Sequence, residues 1–444
     1  MIVNVHHSRG SAVPAAVPRD ARHARWAVSL LFFLNGSSFC AILPRYPELV
    51  ESIGLSNTAF GLAVGIGPIG GLVAGLGAAI LMRRFGSARV SVVAQIAAST
   101  THLAVYLSGS WLWLAVSLML AMAADSLTDI SMNAHGMRVE RRYRRSIMNS
   151  YHGWWSLGAV AGGLLGSACA QLGVPLWLQG IVGLIGFGAL AAYCLGRMLP
   201  GHDATERTST ASPSAASGAE VLAELAPTGF RIAGMSLRAL GLVSALGMIL
   251  VFAGSTEDAG STWGALFMRS TFDATPFLAG MAFVALQGAQ TFGRFTGDYV
   301  VDRLGDRRTA RLGALVAVLG MSLALLLPSP GTALIGFAAA GWGVATLFPA
   351  AYRAADDMPG VPHGVGITVV GWFARLGFFV TPPVVGALSD ALTLRYALWM
   401  VPLYAVGIFA FSGVLSAHSR RADDADPVGS AGPADPARPD DTNA

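Results

Sequence analysis

The chain of 444 residues carries little charge: 12% of its residues are charged, 54% are hydrophobic, and the formal net charge is +4. Soluble proteins carry about twice that charged fraction, so the composition excludes an ordinary soluble enzyme. The small net charge gives no basis for binding nucleic acid, and we expect none. Three cysteines, Cys40, Cys169 and Cys194, fall in apolar stretches, which argues against a disulfide framework.

Long uncharged stretches predict membrane-spanning helices. No charged residue lies between Glu51 and Arg83 or between Arg145 and Arg197. A helix needs about 20 apolar residues to cross a bilayer, and its backbone must be satisfied within the segment. Ser56 and Thr275-Pro276 are start signals for two of these helices. Apolar runs and their breakers predict twelve spans, at roughly 26–46, 57–82, 90–108, 111–137, 147–170, 174–197, 238–266, 276–300, 309–328, 332–353, 363–387 and 395–417.

The arginines indicate how these spans are oriented. Every one of the 29 basic residues is an arginine, and 24 of them fall on one side of the membrane if the N-terminus is inside, against 3 on the other. Cytoplasmic loops carry such an excess, so we predict that both termini are cytoplasmic. The chain is therefore expected to be a multi-pass protein of the bacterial inner membrane.

Polar segments divide the chain into two halves. The linker is rich in alanine, serine, threonine and proline, and the C-terminal tail is acidic, so neither is expected to hold a fixed structure. We predict an all-α membrane protein with a disordered N-tail at 1–25, a six-helix bundle at 26–199, a cytoplasmic linker at 200–236, a second six-helix bundle at 237–417 and a disordered C-tail at 418–444.

The two halves repeat a short motif. The segment at 302–308 follows span 8, and a related segment at 83–89 follows span 2. Such internal symmetry is typical of transporters in which two bundles rock about a shared site. The segment 302–308 resembles the signature loop of the major facilitator superfamily, although Arg83 replaces the expected acid in the earlier copy. The resemblance implies a conformational loop formed by Asp302, Arg303, Gly305, Arg307 and Arg308.

Further segments resemble a narrower group of proteins. Residues 129–133, 138–142 and 152–158 are similar to a bacterial subfamily of permeases that includes proteins linked to rhizopine transport, and distantly to the proton-coupled fucose permease. That resemblance implies that Asp129 is the acid of span 4 that takes part in proton coupling. The span 1 acid of the fucose permease has no counterpart in 38–42, so hexose specificity is not implied.

Span 4 carries an unusual polar stripe. Asp125, Asp129 and Asn133 are spaced i, i+4 and i+8, which places them on one face of the helix. An acid inside a membrane costs about 2.5–3.5 kcal/mol, so it faces a cavity or a partner. Because two carboxylates one turn apart resist ionising together, one is expected to hold a proton. We interpret both acids as proton-coupling candidates and Asn133 as a substrate contact; alternatively, the acids pair with arginines and only hold helices together.

Three other spans place isolated polar groups in the membrane. Arg375 in span 11 is interpreted as a counter-charge, either for the span 4 stripe or for an anionic substrate. Alternatively, it belongs to a structural ion pair. Arg294 and Asp298 in span 8 are predicted to pair within their helix. The amide of Asn35 in span 1 either contacts substrate or bridges helices.

Span 5 begins with His152, Trp154 and Trp155, which we interpret as substrate contacts. Aromatic side chains can stack on sugar rings or hold cations, but they also populate the membrane interface. Because neighbouring residues on a helix point in different directions, at most one of the tryptophans is expected to face a cavity. Glu257, with Asp258, is interpreted as a substrate contact and outer gate, or as a solvated acid at a loop edge.

These features predict a secondary transporter of a small polar solute that uses alternating access and is proton-coupled through Asp129. We expect a monomer in the lipid bilayer. One alternative is a proton-driven exporter of a drug or secondary metabolite, and another, of a different class, is a receptor or scaffold without transport. The sequence contains no metal-ligand spacing, P-loop or esterase motif, so neither enzyme activity nor a cofactor is expected.

Overall fold

Twelve helical spans account for nearly all of the structure, a computed structural model that describes residues 18–143, 146–201, 231–232, 235–359, 361 and 365–415. Within those residues, nine helical segments are long and apolar enough to cross a membrane on length and composition alone. The predicted all-helical membrane fold is confirmed. The spans are Arg19–Cys40, Asn57–Phe85, Ser87–Tyr106, Trp111–Tyr143, Met148–Gln171, Leu176–Leu195, Leu237–Phe272, Pro276–Leu304, Asp306–Leu326, Pro330–Val344 with Leu347–Asp356, Val365–Ala391, and Leu394–Ala397 with Met400–Phe411.

Short elements connect these spans. A 3-10 turn at Leu43–Arg45 and a helix at Tyr46–Ile53 extend span 1, and a second 3-10 turn at Ser412–Val414 follows span 12. Strand β1, Arg231–Ile232, pairs antiparallel with β2, Met235–Ser236, immediately before span 7. These two short strands lie within the segment that we predicted as the linker.

The predicted start signals are confirmed as N-caps. The Ser56 hydroxyl accepts a hydrogen bond from the Ala59 amide at 3.2 Å, and the Thr275 hydroxyl accepts one from the Leu278 amide at 3.4 Å. Pro276 occupies the first turn of span 8, where its missing N–H needs no partner. Local capping chemistry therefore fixes where spans 2 and 8 begin at the outer surface.

Span 1 begins earlier than predicted. Its helix starts at Arg19, so residues 19–25, which we predicted as disordered tail, are helical. Ala21 and Ala24 are fully buried, and Asp20 pairs with Arg142 of span 4 at 3.0 Å. Charge alone does not end a helix whose small residues pack against a neighbour. The remaining N-tail, most of the linker and the C-tail lie outside the described residues.

The repeated loop motif has the same backbone in both halves. Gly86 joins spans 2 and 3 with φ 82° and ψ 152°, and Gly305 joins spans 8 and 9 with φ 78° and ψ 160°. Both angles lie in a region that side chains other than glycine rarely adopt. The sequence repeat therefore corresponds to a repeated turn at the inner end of each bundle.

The bundles are in contact at their outer ends. The Asp390 carboxylate of span 11 accepts hydrogen bonds from the Asn57 amide at 3.0 Å and from the Thr58 amide at 2.8 Å, at the start of span 2. Gln171 of span 5 accepts one from the Phe277 amide of span 8 at 3.1 Å. Polar residues deeper toward the inner side are exposed, including Asp129, His152 and Arg294. The two bundles are therefore held together by hydrogen bonds at the ends predicted to face outward.

Candidate transport site

A cavity of about 250 Å³ lies between the two bundles. Phe39, Phe283 and Phe378 contribute aromatic surface to it, and among the described residues that line it none is an arginine, lysine or histidine. The cavity thus combines aromatic walls with acids and neutral hydrogen-bonding groups. Its polar lining residues are Asn35, Tyr46, Asp125, Trp155, Glu257, Asp258, Ser261, Thr262 and Gln287.

A chain of hydrogen bonds crosses the N-terminal wall of this cavity. The Asn35 Nδ2 donates to Asp125 Oδ1 at 2.8 Å, and the Trp155 Nε1 donates to Asn35 Oδ1 at 2.8 Å. Asn35 is only 2% exposed, so its amide bridges spans 1, 4 and 5 within the cavity wall. Each group in the chain has a partner, which fixes the orientation of the Asp125 carboxylate.

The polar stripe of span 4 continues toward the inner mouth. Asp129 is exposed there, and the Asn133 Nδ2 donates to its Oδ1 at 2.9 Å. His152 is also exposed, lies edge-on to the Phe32 ring at 5.4 Å, and is within electrostatic range of Asp129. The two acids of the stripe therefore have different surroundings: Asp125 lines the cavity, whereas Asp129 is exposed and does not line it.

The C-terminal wall is built from spans 7 and 8. Glu257 Oε2 accepts a hydrogen bond from Gln290 Nε2 at 2.8 Å, and Asp258 Oδ1 accepts one from the Thr262 hydroxyl at 2.9 Å. Both acids lie well inside span 7, because that helix continues to Phe272 rather than ending near 266. The alternative that these acids are solvated residues at a loop edge is therefore wrong.

The two tryptophans of span 5 separate as their spacing requires. Trp155 lines the cavity, but Trp154 packs against Trp26 at 6.1 Å and Phe33 at 6.3 Å, away from it. Successive residues are about 100° apart around a helix, so both cannot face the same space. This placement corrects the prediction that Trp154 contacts substrate.

The predicted arginine pairings are absent from the described part of the chain. Arg375 donates to the Gly371 carbonyl at 3.1 Å and lines a groove between spans 2 and 11, apart from the central cavity. It therefore does not neutralise the span 4 acids in this conformation. Arg294 and Asp298 form no ion pair; Arg294 is exposed within electrostatic range of His152.

The residues of the predicted conformational loop lie at the inner end of spans 8 and 9. Arg307 donates to the carbonyls of Gly413 at 2.5 Å and Leu415 at 3.1 Å, which ties the loop to the end of span 12. The Arg303 guanidinium lies 4.0 Å from the centre of the Tyr299 ring. Arg308 is exposed, while Asp302 is half-buried beside Gly305. Their part in a conformational cycle remains a prediction.

Sequence reasoning missed part of the C-terminal wall. Gln287 and Gln290 of span 8 and Trp263 of span 7 are at most 2% exposed, and Gln287 lines the cavity. The signal was present, since two glutamines three residues apart in a membrane helix share one face. We had given no role to neutral amides in span 8.

Comparison with known proteins identifies the family. The family model of the Major Facilitator Superfamily matches residues 28–257 and 246–439. The chain is 27% identical over 392 residues to the uncharacterized transporter y4wD of Sinorhizobium fredii, covering 86% of this chain and 96% of that protein. It is 25% identical over 386 residues to the membrane protein MosC of Rhizobium meliloti, covering 86% of this chain and 87% of MosC.

Solved structures show the same fold. A bacterial homologue of the lysosomal transporter Spinster, inward-facing and unoccupied, superposes with a TM-score of 0.67 at 16% identity, covering 89% of this chain and 98% of that one. A D-xylose-proton symporter superposes with a TM-score of 0.65 at 14% identity, covering 88% and 96%. The chain therefore belongs to the Major Facilitator Superfamily and is a multi-pass secondary transporter, not an enzyme.

Proposed function

We propose that this transporter couples the movement of a small polar solute to protons through the acids of span 4. The observation that carries the proposal is the pair of carboxylates one turn apart with different surroundings. Asp125 lines the central cavity and is held by Asn35, while Asp129 is exposed one helical turn further along span 4.

The arrangement suits a proton that enters or leaves from one side at a time. Asp129 can exchange its proton with water on the inner side, and Asp125, one turn deeper, is next to the space that a solute would occupy. Because both carboxylates resist ionising together, a proton held by the pair is sensitive to a solute beside Asp125. Alternating access would then carry proton and solute in linked steps.

The polar solute is supported by the cavity and by one structural relative. Amide, hydroxyl and carboxylate groups from both bundles converge there, and such groups orient polar ligands. The D-xylose-proton symporter, as its name states, moves a sugar together with protons, which gives a precedent for a polar solute and proton on this fold. We favour import, in the bacterial inner membrane, by a monomer.

A specific feature favours a second candidate. Much of the cavity wall is aromatic or aliphatic, including Phe39, Phe283 and Phe378, and this surface suits an amphipathic molecule. Proton-driven export of a drug or secondary metabolite is therefore the alternative. The rhizobial relatives are consistent with the permease subfamily suggested by the sequence, and we keep that narrower assignment as a hypothesis.

The test is uptake into proteoliposomes that contain purified protein. Labelled neutral sugars, polyols and amphipathic amines are offered with and without an imposed pH gradient, to wild type and to Asp129→Asn. We expect gradient-driven accumulation by wild type only, with at least about a tenfold loss in the variant, while exchange of solute at equal pH persists. Accumulation that ignores the gradient and survives Asp129→Asn would show that coupling does not run through this acid.

A further inference from the structure

Four buried polar atoms in spans 7 and 8 have no hydrogen-bond partner among the described residues. They are the Asp258 Oδ2, the Trp263 Nε1, the Gln287 Nε2 and the Gln290 Oε1. Each parent side chain is at least nine-tenths buried. A buried polar group without a partner typically costs about 1–3 kcal/mol, so four in one region require an explanation.

The four parent residues come from neighbouring stretches of spans 7 and 8. Gln290 of span 8 reaches Glu257 of span 7, and Gly260 of span 7 packs directly against Leu286 of span 8. Residues 257–263 and 286–290 therefore lie side by side. Of these four residues, Asp258 and Gln287 line the central cavity, and Trp263 and Gln290 lie behind them in the same two spans. We call Asp258, Trp263, Gln287 and Gln290 the C-terminal polar cluster.

We propose that the C-terminal polar cluster binds hydroxyl groups of the transported solute when the cavity opens to the outer side; this rests on the proposed function. The hydrogen bonds of Asp390 with Asn57 and Thr58 hold the outer ends of the two bundles together beside this cavity. Separation of the outer ends would uncover it to a solute entering from outside. The cost of the unpartnered atoms is then offset in the solute-bound state.

The donors and acceptors of the cluster identify the ligand group. Gln287 Nε2 and Trp263 Nε1 can only donate, and Gln290 Oε1 can only accept. An ammonium group cannot satisfy the donors, and a carboxylate cannot satisfy the acceptor. A hydroxyl group does both, and it can pair with Asp258 whether that side chain is ionised or protonated. The cluster therefore favours a neutral solute whose groups both donate and accept, and a solute with several hydroxyl groups meets this requirement.

The test compares solute classes at equal pH on both sides, so its result does not depend on proton coupling. Proteoliposomes receive a mixture of neutral polyols, pentoses and hexoses, amines without hydroxyls such as putrescine, and carboxylates such as succinate, and entry is measured by mass spectrometry. We expect entry of hydroxylated neutral solutes. Entry of amines or carboxylates alone would overturn the hydroxyl assignment but leave transport intact, whereas entry of no class would overturn both proposals.

Matched variants assign the effect to the cluster. Gln287→Leu removes a cluster donor, and Gln95→Leu removes an equally buried amide of span 3 that lies outside the central cavity. We expect Gln287→Leu to lower entry at least about tenfold while Gln95→Leu retains it, because sites built for a hydroxyl discriminate strongly. Trp263→Phe, which keeps the ring, supplies a second cluster variant if Gln287→Leu does not fold. Equal entry in all folded variants would contradict the proposal.

Discussion

The two walls of the central cavity differ in how completely their polar groups are paired. On the N-terminal wall, Trp155, Asn35 and Asp125 form a chain in which each member has a partner. On the C-terminal wall, buried atoms of Asp258 and Gln287 have none. The halves share a repeated fold, so this difference arises from the side chains and not from the architecture.

The difference assigns separate tasks to the two walls. A fully paired chain holds its carboxylate in one orientation, which suits repeated proton exchange. Unpaired groups keep their hydrogen-bonding capacity for a molecule that arrives later. The N-terminal wall is therefore expected to govern stability and coupling, and the C-terminal wall is expected to govern which solute is accepted.

The largest effect should come from breaking the paired wall. Asn35→Leu leaves Asp125 and Trp155 without partners inside the protein, so we expect a loss of about 2–4 kcal/mol in the free energy of unfolding. Thermal unfolding of the purified protein measures this loss. Asn133→Leu is the control, since its partner Asp129 is exposed and the loss should stay below about 1 kcal/mol. Equal losses in both variants would mean that the hydrogen bonds of Asn35 contribute no more to stability than the exposed hydrogen bond of Asn133.

A pair of tryptophan variants compares the walls directly. Trp155→Phe leaves the Asn35 Oδ1 unpaired and should cost about 1–3 kcal/mol, whereas Trp263→Phe removes a donor that already lacks a partner and should change stability by less than about 1 kcal/mol. Thermal unfolding without added solute is again the measurement. If Trp263→Phe is the more damaging of the two, the contrast between the walls is wrong.

The smallest effect concerns the outer contact that keeps the C-terminal wall closed. Asp390→Ala removes the exposed carboxylate of span 11 that accepts hydrogen bonds from the start of span 2. We expect this to weaken the outer contact by about 0.3–1 kcal/mol, so the outward-open population should rise about two- to fivefold. Spin labels at positions 51 and 273 report this as longer distances. Asp20→Ala, which breaks an ion pair at the inner end, should leave them unchanged. Unchanged distances in Asp390→Ala would show that this contact does not hold the outer side closed.

Much of this architecture could be predicted from the sequence, and the reasons are local. The length of each uncharged stretch determines the membrane spans, and the capping side chains Ser56 and Thr275 determine where two of them begin. The i, i+4 spacing of Asp125 and Asp129 correctly predicted that they share a face. These features depend on residues within one helix.

Predictions that depended on how each helix is turned about its own axis relative to its neighbours were less successful. Trp154 and Arg375 lie away from the cavity because packing between helices, and not spacing along one helix, decides which face meets it. The role of Gln287 was missed for the same reason, since its importance depends on the span beside it. Neutral amides in membrane helices therefore merit the same attention as charged residues.

The most direct test of proton coupling records the pH inside proteoliposomes while a solute enters. With no gradient imposed, any neutral solute that wild type admits is added outside, and a trapped fluorescent pH indicator is followed. With wild type we predict that the internal pH changes as solute enters, and that it falls if the transporter is a symporter. With Asp129→Asn we predict that solute still enters but the internal pH does not change. Solute entry by wild type without a pH change, or an unaltered pH change in Asp129→Asn, would contradict coupling through span 4.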